Sequence, residues 1–532
     1  MSLCQLPSNQ VIPADTIFTD YEHSHPLTVK NFRAMENGTY WFERLLSIDA
    51  SWKDKMLEQS HDILGRLQNY KGDTDFDIIY AGGGLAIIHA ALMAKVHHKN
   101  VCIFDKYAVG FTHRDWNISY NEFLALHDCG LFSIDELNSF IACTYKSGFV
   151  KFYDEHSSIK TPHLWMDNVL DNAIDANALL AAAKQIVLEH GGTILESAQF
   201  SRVDVNGTIA KVTINHNQQP KELTANVFVD AMGAFSPIAK RLNNDRPFTH
   251  CCPTVGTISS GFIEGKKVDE VDFEIGEILF TNEDMLPDGR QLIWEGFPSS
   301  EKRFVTYLFF YDAISSPSNK SLLNLYELFF EKWISYKKQG ENFDIGRPLF
   351  GIIPSFSHNA LSNSRITAHD NIISIGDAGA LNSPLSYCGF GSFVRNLKQN
   401  TNALAQSFDE KKFTKKDLLQ INAYEPRVAI MSNFAAFLQG KQGQPAHTVN
   451  ETMNLFMDVL SSLPNSISQE VFRDTLQWSS YNTMMSAVPK RHPDSYKILI
   501  RTHGFFGLFK WLLNFVGFTF TEKRKSNQRS TT

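Results

Sequence analysis

Short unbroken apolar runs alternate with helical spacing in the first half of the chain, and a period of two takes over in the middle. Asp77–Ala81 reads as a buried strand, Gly82-Gly83-Gly84 as a turn, Leu85–Val96 as a helix and Asn100–Phe104 as the next strand, ending at Asp105. A strand–turn–helix–strand unit of this kind opens a nucleotide-binding α/β domain. Asp175 is placed to cap a helix over 176–190, which Gly191-Gly192 stops before a strand at Thr193–Glu196. Arg202–Val205 and Thr208–Ile214 form a hairpin through Asn206-Gly207, a favoured two-residue turn, and Leu223–Asp230 returns as a strand into Ala231-Met232-Gly233.

From about residue 250 the alternation predicts strands at Thr257–Ile263, Phe273–Thr281, Gln291–Phe297 and Arg303–Tyr311 in a mostly antiparallel sheet. Leu322–Lys338 is amphipathic, with Leu322, Leu325, Phe329 and Trp333 on one face. The expected architecture is therefore α/β: a Rossmann-like dinucleotide-binding domain with an inserted antiparallel β-sheet substrate domain and a helical C-terminal region. Its divisions fall at 1–73 (helical extension), 74–249 and 366–410 (the two parts of the nucleotide domain), 250–365 (substrate sheet) and 411–532 (helical). Helical patterning from Val29 to Tyr70, with Trp41, Phe42, Leu45, Leu46 and Ile48, carries no recognisable chemistry.

Composition narrows the class. A chain of 532 residues exceeds one small core, and a net charge of −7 gives no footprint for nucleic acid. Seven cysteines without a C-x-x-C pair suggest neither a zinc site nor a redox dithiol, and they fit a reducing compartment. No metal site is expected. No secretory pattern opens the chain and no apolar run is long enough to span a bilayer, which points to a cytoplasmic protein, soluble or peripheral to a membrane. Phe505–Phe520 is mainly apolar and precedes Lys523-Arg524-Lys525. Such a segment either docks on the protein's own surface or lies in a membrane interface, with the cations near anionic headgroups; the expected location is the inner membrane face. The 41 phenylalanines fit either an aromatic core or a large apolar site.

Two glycine-rich turns carry the candidate chemistry. The first, at Gly82, Gly83 and Gly84, has an acid, Asp105, 21 residues past Gly84. That spacing sets a pyrophosphate on the helix start and a ribose hydroxyl on the carboxylate. In G-x-G-x-x-G register from Gly82 the third position is Ile87, too bulky for close helix–sheet contact; shifted by one, the positions are Ala81, Gly83 and Ala86. Ala86, Ala90 and Ala94 then form a small-residue stripe that can pack on the strand. The second turn runs from an apolar strand into Gly376-Asp377, then through Ser383-Pro384 to a helix start near Ser386, Gly389 and Gly391. Alone it is either a tight strand–helix corner or a sugar-phosphate site.

The order of an early glycine turn, Asp230-Ala-Met-Gly-Ala-Phe-Ser236 and a late Gly376-Asp377 resembles the large FAD-binding fold shared by aromatic hydroxylases, geranylgeranyl reductases, tryptophan halogenases and lycopene cyclases. Arg114-Asp-Trp-Asn-Ile-Ser119, Val229–Ile238, Ile293-Trp-Glu-Gly-Phe-Pro298, Arg347–Pro354 and Asn371–Gly391 resemble the CruA/CruP-type lycopene cyclases over about residues 77–460. The first turn departs from that branch's usual G-G-T-L-G, and Tyr120 stands where Arg is usual. The resemblance implies that Asp105 holds the adenosine ribose, Asp377 the ribityl chain and the Ser386–Gly391 helix start the pyrimidine end of the flavin.

It also implies a redox-neutral reaction: protonation of a linear carotenoid such as lycopene, ring closure and proton loss, with reduced, anionic FAD supplying negative field and NAD(P)H as external reductant. Glu295, between Trp294 and Gly296 on an apolar strand, is the candidate acid, since desolvation raises a carboxyl pKa; otherwise it is a solvent-facing edge residue. Arg114 either meets the FAD pyrophosphate or forms a surface ion pair. Trp116, Tyr387 and Phe390 either flank the ligand or pack in the core. The alternatives are an FAD-dependent oxidoreductase of the same fold (a polyene reductase or desaturase, or a monooxygenase) and a non-catalytic flavin or carotenoid binder. The absence of a Trp-x-Trp pair disfavours a halogenase.

Overall fold

The central strand of the molecule, Gln219–Asp230, changes partners along its length, and this switch organises the nucleotide domain. Its first half pairs antiparallel with Ala210–His216; its second half runs parallel to Phe76–Ala81 on one side and to Ile372–Ser374 on the other. The computed structural model describes residues 16–54, 62–68, 70, 72–246, 248–356, 365–380, 382, 385, 389–421 and 426–529. Val101–Phe104 and Thr193–Leu195 extend the parallel part of a nine-stranded sheet, and the Ala198–Val205 hairpin and Leu64–Arg66 form its other end.

The strands Phe76–Ala81, from Ile78 onward, and Val101–Phe104 are buried because helices cover them, and the helix Ala86–Lys95 is buried from Ala86 to Ala94. Ala86, Ala90 and Ala94 all lie in this interface, as the small-residue stripe predicts. Ala81, Asp230 and Ser374 fall in one row at the carboxyl ends of three parallel strands. In an open α/β sheet that is where ligands bind.

Among the described residues the second sheet has eight strands and is antiparallel except where Ile275–Phe280 pairs with Ser147–Lys151. Its spine is a pair of long strands, His250–Phe262 and Gln339–Ser355, joined from His250↔Ser355 to Phe262↔Gln339. Alternation locates Ile275–Phe280, Ile293–Pro298 and Phe304–Phe309 within a few residues. It does not find the first half of His250–Phe262, nor Gln339–Ser355. His250–Phe262 is buried on both faces in its first nine-residue stretch after His250, which erases the period of two. The sheet also takes in Ser147–Lys151 and Leu164–Met166, from well before residue 250.

The helix Leu322–Tyr336 crosses the outer face of this sheet. Trp294 stacks on Tyr336 with ring centroids 4.5 Å apart, and Phe329, Trp333, Phe262 and Phe304 complete the contact. Much of the phenylalanine content is thus core. The N-terminal helices Pro26–Ala34 and Gly38–Asp54 lock onto the same helix by exchanging caps. Glu327 accepts hydrogen bonds from the Leu27 and Thr28 amides at 3.0 and 2.9 Å, while Asp49 accepts from the Leu322 amide at 2.7 Å.

The C-terminal region packs around the buried helix Thr448–Ser461. The last helix, Ser495–Arg529, is broken at Gly504, whose φ of 71° leaves the helical range. No described helix is long and apolar enough to cross a membrane.

Candidate cofactor and substrate site

At the first turn the glycines have separate tasks. Gly82 has φ 111°, and a Cβ there would lie 2.2 Å from the Ala231 carbonyl oxygen, so it lets two strand ends meet. The Gly83 amide donates to Asp105 Oδ2 at 2.7 Å, and the Tyr107 amide donates to Oδ1 at 2.8 Å. These bonds fix the carboxylate, although burial still outweighs them and moves its pKa upward. Gly84 is different: a Cβ there would meet nothing within 4 Å. It borders open space beside Leu85 and Ala86, which wall a cavity of about 320 Å³.

The same cavity receives the second turn. Gly376 (φ 57°), Asp377, Asn382, Gly389 and Gly391 all line it. Asn382 Nδ2 donates to Asp377 Oδ1 at 2.9 Å, and buried Arg365 holds the loop by donating to the Ala378 and Gly379 carbonyls at 2.6 and 3.0 Å. Ser386 and Tyr387 lie outside the described residues. Asp230, between the two turns, accepts from Ser236 at 2.6 Å and Ser374 at 3.2 Å, and burial pushes its carboxyl up to about 6. It ties the strand ends together rather than facing the cavity.

Arg114 reaches into this space from the segment before Trp116–Ile118. Its guanidinium occupies room that Gly351 leaves, since a Cβ on Gly351 would sit 2.2 Å from Nη2. Its Nη1 is 3.9 Å from Asp377 Oδ2, an open ion pair with donors to spare. Trp116 and Phe390 stack at 4.6 Å, and both line the cavity, so their packing and site roles coincide.

Glu295 lies at the apolar end, with Phe297, Phe309, Leu170 and Ile353. Its remaining accessible surface opens to the cavity, and among the described residues it has no hydrogen-bond or ion-pair partner. Desolvation alone pushes its carboxyl up to about 8, so it is protonated at neutral pH. Residues that the sequence did not single out complete the wall. Tyr307 lies opposite Glu295, Thr254 and Cys252 come from the long strand, and Asp115 is held by Arg347 at 2.5 Å. The adjacent cysteines part company: Cys252 faces the cavity side and Cys251 the opposite core. Cross-strand register selects Tyr307, Thr254 and Cys252, whereas Asp115 belongs to the Arg114–Ser119 segment.

The donor set fits a dinucleotide that is long, anionic and rich in hydroxyls. Gly84, Gly233 and Gly376 each leave the space of a missing Cβ open. Two fixed carboxylates, Asp105 and Asp377, offer acceptors, and helix starts at Ala86 and Gly389 offer amide donors.

No family model matches the chain, and no curated protein matches it in sequence. Solved structures do match. A geranylgeranyl bacteriochlorophyll reductase-like protein from Thermoplasma acidophilum has a TM-score of 0.56 at 13% identity, over 80% of this chain and 99% of that one. A flavin-dependent brominase triple mutant gives 0.53 at 12% identity over 79% and 100%. The halogenase PltM in complex with FAD, as a mutant, gives 0.52 at 13% identity over 80% and 94%. The fold is that of FAD-binding flavoproteins. The expected α/β architecture, with two domains, mixed sheets and a helical C-terminal region, stands.

The expected reaction does not. The matching structures are named for flavin-dependent halogenation, bromination and reduction, and they favour an oxidoreductase over a redox-neutral carotenoid cyclase. The resemblance to the cyclases around Glu295 rests on the short Ile293–Pro298 segment. A desolvated acid at an apolar cavity serves protonation in either chemistry, so that segment cannot distinguish them.

Proposed function

We propose that this chain is an FAD-dependent oxidoreductase that reduces an apolar, unsaturated substrate, with Glu295 as proton donor. One observation carries the proposal. A carboxyl with no partner among the described residues, protonated at neutral pH, looks into a largely apolar cavity that is also lined by Leu85 and Ala86, just after the first glycine turn, and by Gly376 and Asp377 of the second. Gly84 and the start of the Ala86–Lys95 helix would receive the pyrophosphate, Asp105 the adenosine ribose, and Asp377 with Asn382 the ribityl hydroxyls. Arg114 would neutralise phosphate or flavin charge.

Reduced flavin, when bound, supplies a hydride equivalent. Glu295 supplies the proton that balances it: a carbon–carbon double bond gains one hydrogen at each end, and Glu295 is left as a carboxylate to be reprotonated from solvent. Phe297, Phe309 and Ile353 exclude water and orient the apolar substrate. The fold shared with a reductase-like protein and flavin-dependent halogenases supports redox chemistry at this site.

The test is reconstitution with FAD, followed by anaerobic photoreduction and mixing with polyenes and isoprenoid alkenes. Flavin reoxidation with loss of a double bond is expected, and Glu295→Gln is expected to keep FAD while slowing that step 100-fold or more, ~3 kcal/mol. A chain that binds no FAD, or a Glu295→Gln variant reducing at the full rate, overturns the assignment. NADH and NADPH are the first donors to test in place of light.

A further inference from the structure

The last helix has two apolar faces, and the protein covers only one. After the break at Gly504, Trp511 and Phe518 are buried, with Leu508 and Phe515 packed beside them, and Trp511 Nε1 donates to the Asn433 carbonyl at 2.9 Å. On the other side Phe505, Phe506, Phe509, Leu512, Leu513, Val516 and Phe520 are between 46% and 86% exposed. Their spacing of three and four residues makes one stripe, about 24 Å long at 1.5 Å per residue. Exposed aromatic side chains gathered so densely mark an interaction surface rather than ordinary surface scatter.

Charge identifies the partner. From Ser495 to Thr521 the sequence has no Asp or Glu, while Lys510 lies exposed in the stripe and Lys523-Arg524-Lys525 follow it on the same helix. Lys497 and Arg501, just before the break, are already paired with Asp494 and Glu451. Lys510, exposed and in no ion pair among the described residues, is therefore available to an external anion. Apolar side chains bordered by cations, on a helix that cannot span, match the interfacial layer of an anionic bilayer. A second copy would instead bring the same cations together, which is unfavourable at a self-complementary contact.

We infer that the exposed face of Phe505–Phe520 seats the protein on an anionic lipid surface. The helix lies in the plane of the headgroups, with Phe506, Phe509 and Leu513 inserted and Lys510 extended toward phosphate. Anchoring of the inner face by Trp511 and Phe518 fixes the molecule's orientation, because the apolar core that holds them also includes Cys252, Phe297 and Phe309 of the cavity wall. The bilayer contact and the cavity thus belong to one rigidly packed body.

Flotation of the full chain with phosphatidylcholine vesicles, with and without phosphatidylglycerol, tests this. Binding to the anionic vesicles is expected, weakening as salt screens the cations. Phe506→Glu/Phe509→Glu/Leu513→Glu should lower vesicle partitioning by about 100-fold or more with an unchanged thermal midpoint. The milder Phe506→Ser/Phe509→Ser should lower it about tenfold and guards against misfolding of the triple variant. A wild-type chain that stays off anionic vesicles overturns the inference, as do folded variants that float like the wild type. A concentration-dependent dimer that the triple variant converts to monomer, without vesicle binding by either, also overturns it and assigns the face to a second copy.

Discussion

Glu295 and Tyr307 stand directly opposite each other on neighbouring antiparallel strands, and both look into the same cavity. The pairing places a carboxyl beside an aromatic ring that shields it from water, and the Tyr307 hydroxyl is turned aside toward the Asp115 carbonyl at 3.4 Å. Glu295 is therefore desolvated with no donor among the described residues to stabilise its carboxylate form, which is the condition for a protonated acid at neutral pH.

The pH dependence follows from that environment. The Glu295 pKa is raised from 4.5 to about 8, so the protonated, competent form dominates below pH 8 and activity should fall above it. A raised carboxyl pKa means the folded state holds its proton more tightly than the unfolded state. Its stabilising effect is complete below pH 4.5 and is lost as pH rises to about 8, at up to about 1.4 kcal/mol per pH unit. Thermal melts of wild type and Glu295→Gln from pH 4 to pH 9 should diverge, with the variant flatter across that window. Parallel curves would show an ordinary, solvated carboxylate.

Gly82 and Gly84 of the first turn should behave differently when substituted. Gly84→Val extends into open space, so the apo protein should melt within about 1 kcal/mol of wild type while FAD affinity falls tenfold or more. Gly82→Ala forces a Cβ against the Ala231 carbonyl at a φ of 111° and should destabilise the apo protein by about 2 kcal/mol or more. Calorimetry for stability and flavin fluorescence quenching for affinity separate the two effects. Equal loss of affinity with equal loss of stability would remove the cradle role from Gly84.

Arg114→Met keeps much of the side-chain volume against Gly351 but removes the charge near Asp377. Weaker FAD binding is expected, by roughly tenfold, with the greatest loss at low salt. An unchanged Kd would reduce Arg114 to a packing residue.

The N-terminal extension is held by exchanged caps, which limited proteolysis can test. Glu327→Ala removes the acceptor for the Leu27 and Thr28 amides, and Asp49→Ala removes that for Leu322. Each should cost about 1 kcal/mol and expose residues 16–54 to protease before the rest of the chain. Cleavage at the wild-type rate would leave the docking to apolar contacts alone.

Much was fixed by the sequence itself. Glycines that a positive φ or a close approach demands, an acid at the end of the next strand, and an apolar run into Gly376-Asp377 are local signals, since each follows from one turn's backbone. The two-domain α/β architecture and three strands of the second sheet, Ile275–Phe280, Ile293–Pro298 and Phe304–Phe309, were legible for the same reason, and Glu295 was recoverable from the apolar strand around it. Tertiary structure alone decided the rest. The start of His250–Phe262 and the Pro348–Ser355 half of Gln339–Ser355 are buried almost continuously and lose their period, and mutual register identifies the two strands. Tyr307, Cys252 and Thr254 join the cavity through cross-strand pairing, and Asp49 meets Leu322 across 273 positions of chain. The terminal segment shows the division most plainly: its sequence gives two apolar faces, but only packing against Asn433 and its neighbours determines which one is left outward.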